Sequence, residues 1–373
     1  MTKRKKRFLA ACLCAMLVLT AGQGGLAPGA FAAASTASSE VAAAAAASAT
    51  AAASATAAAA AAASATAAAQ SGDGLADVVR EAMPSVVAIA GKLSKTSKQY
   101  DELYENIIMG SGIIYKSNGY IITNNHVIDE CETLYVILSD KRTYEARVIG
   151  TDEASDIAVI KIDKGMLKPV VFADSSAVVE GTRVMNIGTP IFFELQNSIG
   201  YGIISGTNRV NTGFTDYSFI QTDIVSSPGS SGGPLMDMDG KVLGIIEGGF
   251  ANYYGIMFCI PSRLIQNVAS QLYKYGKVRR PYIGAKLEQN LTADYGLPAN
   301  QGLYITDIDE DGPLAQAGVT EDDMLLSLNG VDLFIYTTYA EEILNYLPGD
   351  TVEITLLRGS EIRNVQITLS EKE

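Results

Sequence analysis

The chain has 373 residues, enough for two or three domains, and its net charge of −13 argues against nucleic-acid binding, which requires a basic surface. A single histidine, His126, excludes a metal site built from several histidines. The motif Gly-x-x-x-x-Gly-Lys-Ser/Thr is absent, so the sequence predicts no phosphate-binding loop.

The first 32 residues have the composition of an export signal. Basic residues at Lys3–Arg7 precede a mostly apolar run at Phe8–Thr20, and Ala30–Ala32 forms a small-x-small cleavage site. The apolar run is short for a membrane span, which needs about 20 residues. We therefore predict a signal peptide over residues 1–32 and an exported protein, in the cell envelope or secreted. Retention of the segment as an N-terminal anchor is the alternative, and only then would the protein be attached to a membrane.

Removal of this signal would make the chain more acidic. The signal holds five of the 28 Lys and Arg and none of the 41 Asp and Glu, so the remainder has a net charge of −18.

Residues 33–72 follow and consist almost entirely of Ala, Ser and Thr. Because they offer no large side chains to bury, they cannot form a core, and we interpret them as a linker.

From residue 73 to residue 275 the composition is that of a globular β-rich domain. Strand-like runs separated by turn residues lie at Ile113–Tyr115, Tyr120–Thr123, Thr133–Leu138, Ala146–Ile149, Ala158–Ile162, Arg183–Ile187, Ser198–Ile204, Val242–Glu247 and Gly255–Ile260. The stretch Pro261–Tyr275 has helical periodicity, with Leu264, Val268 and Leu272 on one face. The sequence therefore predicts a mainly β domain that ends in a helix.

Three residues in this domain suggest nucleophilic catalysis. His126 ends the run Ile-Ile-Thr-Asn-Asn-His, Asp156 precedes the apolar run from Ile157, and Ser231 lies in Gly-Ser-Ser-Gly-Gly-Pro-Leu. A serine hydroxyl is a poor nucleophile unless a base takes its proton, and a carboxylate best orients that base. The pattern Gly-x-Ser-x-Gly also matches the nucleophile elbow of α/β-hydrolases. Their histidine follows the serine, whereas here it precedes it, as in chymotrypsin.

The flanking sequences TNNHVI, SDIAVIKI and GSSGGPL resemble the HtrA/Deg (high-temperature-requirement) serine proteases. This resemblance implies a chymotrypsin-like double β-barrel with His126, Asp156 and Ser231 as the catalytic triad. It also implies an oxyanion hole in the turn Gly229–Ser231, formed by the backbone N–H groups of Gly229 and Ser231 with Ser230 between them.

The chain departs from the family pattern near the serine. Ser230 replaces the usual Asn, and Met257 and Cys259 replace small residues beside the expected substrate pocket. At the position where trypsin has an Asp that selects basic residues, this chain has Val225, followed by Ser226. We expect Val225, Ser226 and Met257 to contribute to a pocket for small to medium apolar side chains, with modest selectivity.

Residues 276–373 resemble a PDZ domain of the HtrA type. The run Tyr282-Ile283-Gly284-Ala285 matches its carboxylate-binding loop, and GLYITDIDEDGPLAQAGV matches its central strands and short helix. The resemblance implies that the C-terminus of a peptide adds a strand to the sheet edge, while loop N–H groups bind its carboxylate.

The sequence therefore predicts an exported serine endopeptidase that cleaves misfolded or exposed protein segments. The alternative is a PDZ-bearing chaperone or binding module in which proteolysis is secondary or regulated off. The resemblance implies a homotrimer, and no metal or organic cofactor is expected.

Cys131 and Cys259 are the cysteines outside the signal. A disulfide between them remains open, and a buried free thiol is the preferred interpretation for Cys259.

Overall fold

A computed structural model describes residues 74–93, 107–210, 216–249, 255–289 and 302–372. The expected signal and the Ala-rich linker lie outside these ranges. Within them, none of the helices combines the length and the apolar character needed to cross a membrane.

The first of two β-barrels follows a short N-terminal helix, α1 (Leu75–Ala82), and a 3-10 turn at Met83–Ser85. Its strands are β1 (Val86–Leu93), β2 (Ile107–Lys116), β3 (Tyr120–Asn124), β4 (Cys131–Ile137), β5 (Thr143–Asp152) and β6 (Ile157–Ile162). They close antiparallel in the order β1-β2-β3-β6-β5-β4. Ile89, Ile114, Ile121, Val136 and Ile160 fill the interior and are fully buried.

The second barrel repeats this order with six more strands. They are β7 (Arg183–Gly188), β8 (Ser198–Val210), β9 (Ser218–Thr222), β10 (Pro234–Met236), β11 (Val242–Gly249) and β12 (Met257–Pro261). The closed order is β10-β11-β12-β9-β8-β7. Strands β9 and β10 were not expected from the sequence: β9 mixes polar and apolar residues, and β10 has three residues and begins with a proline.

A core between the barrels holds them together. Ile122 and Ile157 of the first barrel share a buried cluster with Met185 and Ile245 of the second. Helix α2 (Ser262–Tyr275) joins this cluster through Leu264, Val268 and Leu272, the face expected from the sequence. The predicted mainly β fold of two chymotrypsin-like barrels is therefore confirmed.

The C-terminal part has its own sheet and core. Its elements are β13 (Pro281–Tyr282), β14 (Ala285–Glu288), β15 (Leu303–Ile308), α3 (Pro313–Gln316), β16 (Asp323–Leu328), β17 (Val331–Asp332), α4 (Tyr336–Ile343), β18 (Thr351–Arg358), β19 (Glu361–Thr368) and β20 (Ser370–Glu371). The main sheet runs β14-β15-β16-β18-β19, so β14 is an edge strand. Its core includes Ile283, Leu303, Leu325 and Ile354.

A partly buried ion pair connects this part to the first barrel. The Arg280 guanidinium donates to both carboxylate oxygens of Asp152, at 2.5 and 2.8 Å. The same carboxylate accepts the backbone N–H of Ser155, which closes the 3-10 turn Glu153–Ser155 directly before Asp156. Arg280 therefore helps to hold the turn that carries a candidate catalytic residue.

Replacement of Arg280 by methionine should destabilise the protein. Arg280→Met leaves the Asp152 carboxylate buried without its cation, and we expect a loss of about 2 kcal/mol, below the usual cost for a fully buried pair because Arg280 is partly exposed. Thermal unfolding of the full chain measures this loss. Arg142→Met is the matched control, since Arg142 pairs with Asp140 in solvent and its loss should change stability little. Equal effects of the two substitutions would contradict the role assigned to Arg280.

Candidate active site

His126 and Asp156 lie together because they follow paired positions on adjacent strands. Asn124 at the end of β3 faces Ile157 at the start of β6. Past these ends, the backbone N–H of Asn125 donates to the Asp156 carbonyl at 3.0 Å. Asp156 has a left-handed backbone with φ 53°, which turns the chain from the 3-10 turn into β6.

The Asp156 carboxylate binds His126 at two points. One oxygen accepts the backbone N–H of His126 at 2.8 Å, and the other lies 2.6 Å from its Nδ1 atom. The imidazole is 47% exposed, whereas the Asp156 side chain is 12% exposed. Burial alone would raise the pKa of Asp156, but hydrogen bonds from His126 and from Glu247 hold it below its usual value. This carboxylate is therefore suited to orient the imidazole and to stabilise its protonated form.

Ser231 lies in a turn between β9 and β10 that requires glycine on both sides. Gly229 has φ 97°, and a Cβ there would approach the Thr189 carbonyl oxygen to 2.3 Å. Gly232 has φ 80°, and a Cβ there would come within 2.2 Å of the Ser111 carbonyl oxygen. Side chains at these positions would be both strained and blocked by backbone atoms.

Ser111 of β2 fastens this turn to the first barrel. Its hydroxyl donates to the Gly229 carbonyl at 2.8 Å and accepts the N–H of Thr189 at 3.0 Å. Its backbone N–H donates to the Ser231 carbonyl at 2.8 Å. Ser111 is fully buried and was not identified from the sequence, because it lies more than a hundred residues from the turn.

Two N–H groups of the turn are free to bind an oxyanion. Among the described residues, neither Gly229 nor Ser231 donates its backbone N–H to a protein acceptor. The N–H of Ser230, in contrast, donates to the Ser227 carbonyl at 3.0 Å. Of the three residues expected in the oxyanion hole, Ser230 has its N–H engaged within the turn, which agrees with its expected place between the two donors.

The Ser231 hydroxyl does not point at the imidazole. Its Oγ donates to the backbone carbonyl of Glu247 in β11 at 3.0 Å. Because a hydroxyl carries one proton, it must leave the Glu247 carbonyl before it can donate to His126.

Glu247 is a site residue that the sequence did not reveal. It is only 6% exposed, and its Oε2 accepts a hydrogen bond from Asn124 Nδ2 at 2.8 Å. One side-chain donor or acceptor atom from each of His126, Asp156 and Glu247 lies within 4.8 Å of the other two. The acid lies in the continuous run Gly-Ile-Ile-Glu-Gly-Gly, which gives no periodic signal for the direction of its side chain.

The expected pocket residues are only partly defined. The Val225 side chain is 68% exposed, and Met257 is half-buried at the start of β12 beside Gly249. The hydroxyl of Ser226 is buried and has no hydrogen-bond partner among the described residues. Their contribution to a substrate pocket stays a prediction.

The predicted carboxylate-binding loop lies between β13 and β14. Gly284 has φ 82°, and a Cβ there would lie 2.7 Å from Pro313 Cδ and 2.8 Å from Gly312 Cα. Ile283 is fully buried, and its carbonyl accepts the N–H of Leu314 at 3.0 Å. The loop is thus packed tightly against the start of α3.

A groove of about 370 Å³ opens beside this loop. Ala285 and Leu287 of the edge strand β14 line one side, and Tyr339 and Ile343 of α4 line the other. Such a groove between a free strand edge and a helix can accept an extended peptide.

The two described cysteines are free. Cys131 is half-buried and Cys259 is fully buried, so no disulfide joins them. Burial raises the pKa of the Cys131 thiol to about 11. Burial also raises the pKa of Cys259, which fits the expected buried thiol.

Two family models match the chain. A trypsin-like peptidase domain matches residues 110–245, and a PDZ domain matches residues 281–369.

Curated relatives have similar sequences. A probable periplasmic serine endoprotease DegP-like of Halomonas elongata is 36% identical over 70% of this chain and 56% of its own length. The serine protease Do-like HtrA of Bacillus subtilis is 32% identical over 80% of this chain and 73% of its own length. The chain thus spans little more than half the length of the Halomonas relative.

Solved structures have the same fold. The HtrA-type protease AlgW with a tripeptide has a TM-score of 0.68 and 28% identity, covering 80% of this chain and 97% of that one. A serine endoprotease from Yersinia pestis has a TM-score of 0.60 and 32% identity, covering 79% of this chain and 97% of that one.

Proposed function

Because this chain belongs to the HtrA/Deg family of trypsin-like serine proteases, we propose that it is an exported endopeptidase that cleaves misfolded or exposed segments of proteins. The observation that carries this proposal is the buried Asp156 carboxylate bound to His126 beside a glycine turn that carries Ser231. Serine proteases of the chymotrypsin type hydrolyse peptides with this combination of nucleophile, base and orienting carboxylate.

In the proposed reaction, Ser231 Oγ attacks the scissile carbonyl after turning from Glu247 to His126. The imidazole accepts the hydroxyl proton through Nε2, while its Nδ1–H donates to Asp156. The negative charge that develops on the carbonyl oxygen is stabilised by the N–H groups of Gly229 and Ser231. The imidazolium then protonates the leaving amine, and water repeats the sequence on the acyl-enzyme. Asp156 remains ionised throughout, since its pKa is held low by its hydrogen bonds.

The proposed substrate pocket accepts small to medium apolar side chains. Val225 offers no negative charge to a lysine or arginine, and a buried unpaired ammonium would be costly. Ser226 and Met257 complete the proposed pocket, where methionine would reduce the available width. Discrimination among apolar residues should be modest.

The C-terminal domain, proposed over residues 276–373 after a protease domain over 73–275, would bind peptide C-termini. An extended peptide would pair with β14, and N–H groups of the loop Tyr282–Ala285 would bind its carboxylate. The open strand edge and the groove beside α4 support this mode.

The proposed location is extracytoplasmic, on the basis of the basic and apolar start of the sequence and of relatives named as periplasmic. Cleavage after residue 32 would release the protein, and retention would anchor it. We also propose a homotrimer, by analogy with the family.

A chaperone-like state in which proteolysis is regulated off is the second candidate. The hydrogen bond from Ser231 Oγ to the Glu247 carbonyl favours it, because the nucleophile is then held away from its base. Tyr217 of the second barrel and Arg280 also line the peptide groove, so occupancy of the groove could be sensed by the protease domain.

Substitution of the proposed nucleophile should abolish hydrolysis without unfolding the protein. We expect Ser231→Ala to lower kcat for casein digestion about 10⁴-fold or more, since loss of a triad member removes orders of magnitude in rate. Ser230→Ala is the matched control and should stay within about threefold of wild type, because its N–H and not its hydroxyl shapes the turn. Activity that survives in Ser231→Ala and is lost in Ser230→Ala would contradict the assignment.

A peptide-library digest should show cleavage after Val, Ala or Ile and poor cleavage after Lys or Arg. The reason is the absence of a carboxylate at Val225. Mass spectrometry of the products measures the preference. Cleavage mainly after basic residues would refute the proposed pocket.

Substitution of Gly284 should weaken binding of a peptide with a free apolar C-terminus. Gly284→Ala, made in the full chain with Ser231→Ala, places a Cβ against Pro313 and distorts the loop, so we expect binding to fall by about tenfold or more. Gly330→Ala is the matched control, with a similar φ of 80° and open space around it. Calorimetric titration measures both.

The amidated form of the same peptide tests the carboxylate directly. It should bind weakly to the chain with an intact loop, because a charge-assisted acceptor is lost. Equal affinity for the acid and amide forms would exclude a carboxylate site in this loop.

A further inference from the structure

Glu247 contacts the proposed triad through both its backbone and its side chain. Its carbonyl accepts the Ser231 hydroxyl at 3.0 Å. A carboxyl oxygen of its side chain lies within 4.8 Å of one of Asp156, and its Oε2 accepts the Asn124 amide at 2.8 Å. No other described residue contacts both Ser231 and Asp156 in this way, and the resemblance to the family assigns no role to this side chain.

The proximity of the buried Glu247 and Asp156 carboxyl groups requires a proton, since two negative charges in one buried site repel each other. Two ionised carboxylates can only accept, so one of the pair must carry a hydrogen. Asp156 already accepts the backbone N–H and the ring of His126, both of which favour its ionised form. The proton therefore belongs to Glu247.

The surroundings of Glu247 agree with this assignment. Among the described residues, no lysine or arginine forms an ion pair with it. The titratable groups that face it are Asp156, His126 and the thiol of Cys259 from the neighbouring strand β12. Burial raises the pKa of Glu247 well above its usual range, and the adjacent Asp156 raises it further.

We infer that Glu247 is a positioning residue of the triad, a protonated carboxylic acid that donates a hydrogen bond to Asp156 and fixes that carboxylate against the imidazole of His126. This inference rests on the proposed function for its catalytic consequence. Its charge state and its contacts do not depend on that function.

The donated hydrogen bond has two consequences for the mechanism. It satisfies a buried lone pair of Asp156 and so opposes rotation of the carboxylate away from Nδ1. It also leaves the pair with one negative charge, which matches the single positive charge of the imidazolium that forms during the reaction. An ionised Glu247 would add a second, unpaired charge.

Two substitutions of Glu247 in the full chain separate the effect of the donated hydrogen bond from the effect of charge. Glu247→Gln keeps the shape, the neutral state and a donor, and should retain kcat within about threefold. Glu247→Met keeps a similar volume but has no donor, and should lower kcat by about 10- to 100-fold while KM stays within about twofold. Asp237→Ala, which removes a carboxylate from the turn before the same strand, is the control for general destabilisation and should leave kcat unchanged.

The acid limb of the pH–rate profile tests whether Glu247 is charged. With Glu247 neutral, this limb should lie at the same pH in wild type and Glu247→Gln, within about 0.3 unit. A shift to lower pH by about one unit would show that Glu247 is ionised and would overturn the inference. So would an equal loss of kcat in Glu247→Gln and Glu247→Met, or full activity in Glu247→Met.

Thermal unfolding measured at a series of pH values tests whether Glu247 is protonated, without relying on activity. The unfolded chain releases the Glu247 proton above its ordinary pKa of 4.5, whereas the folded chain keeps it. A raised pKa of the folded state therefore makes wild type lose stability relative to Glu247→Gln as the pH rises from about 5 to 9. A difference in unfolding temperature between wild type and Glu247→Gln that stays constant over this pH range would overturn the inference. If wild type hydrolyses no peptide, the proposed function fails, and this series still decides the state of Glu247.

Discussion

The site depends on one buried negative charge, the carboxylate of Asp156. A carboxylate removed from water needs several hydrogen-bond donors to stay ionised. Here the backbone and ring of His126 supply two, and the inferred protonated acid of Glu247 supplies a third. These donors belong to both barrels, since Glu247 lies on β11 and His126 follows β3. The surroundings of this charge therefore include groups from both barrels, linked by the hydrogen bond from Asn124 to Glu247.

The barrels place the reacting groups through strand register and contacts distant in sequence. Pairing of β3 with β6 brings His126 beside Asp156, and Ser111 of β2 holds the turn with Ser231. The ion pair of Arg280 with Asp152 extends this support to the C-terminal domain. Arg280 therefore links that domain, through Asp152, to the turn before Asp156.

The sequence predicts a triad because His126, Asp156 and Ser231 each lie in a local motif with a fixed order, and the structure brings His126 and Asp156 into contact. The need for glycine at Gly229 comes from the structure, where its φ is 97°. The sequence cannot predict the contact of Ser111 with Gly229 or that of Glu247 with Asn124, because each joins residues more than a hundred positions apart. Glu247 is further concealed because every residue from Val242 to Glu247 is buried, so the strand does not alternate. The rotamer of Ser231 depends on a carbonyl in another strand and is equally invisible in the sequence.

The most direct test of the triad is covalent labelling of the full chain with a fluorophosphonate, which reacts with a serine that a neighbouring base has activated. Peptide mapping by mass spectrometry locates the label. Activation by His126 predicts one label per chain, on Ser231, and its loss in His126→Gln. A label on Ser230, or labelling of Ser231 that persists without the imidazole, would contradict this mechanism.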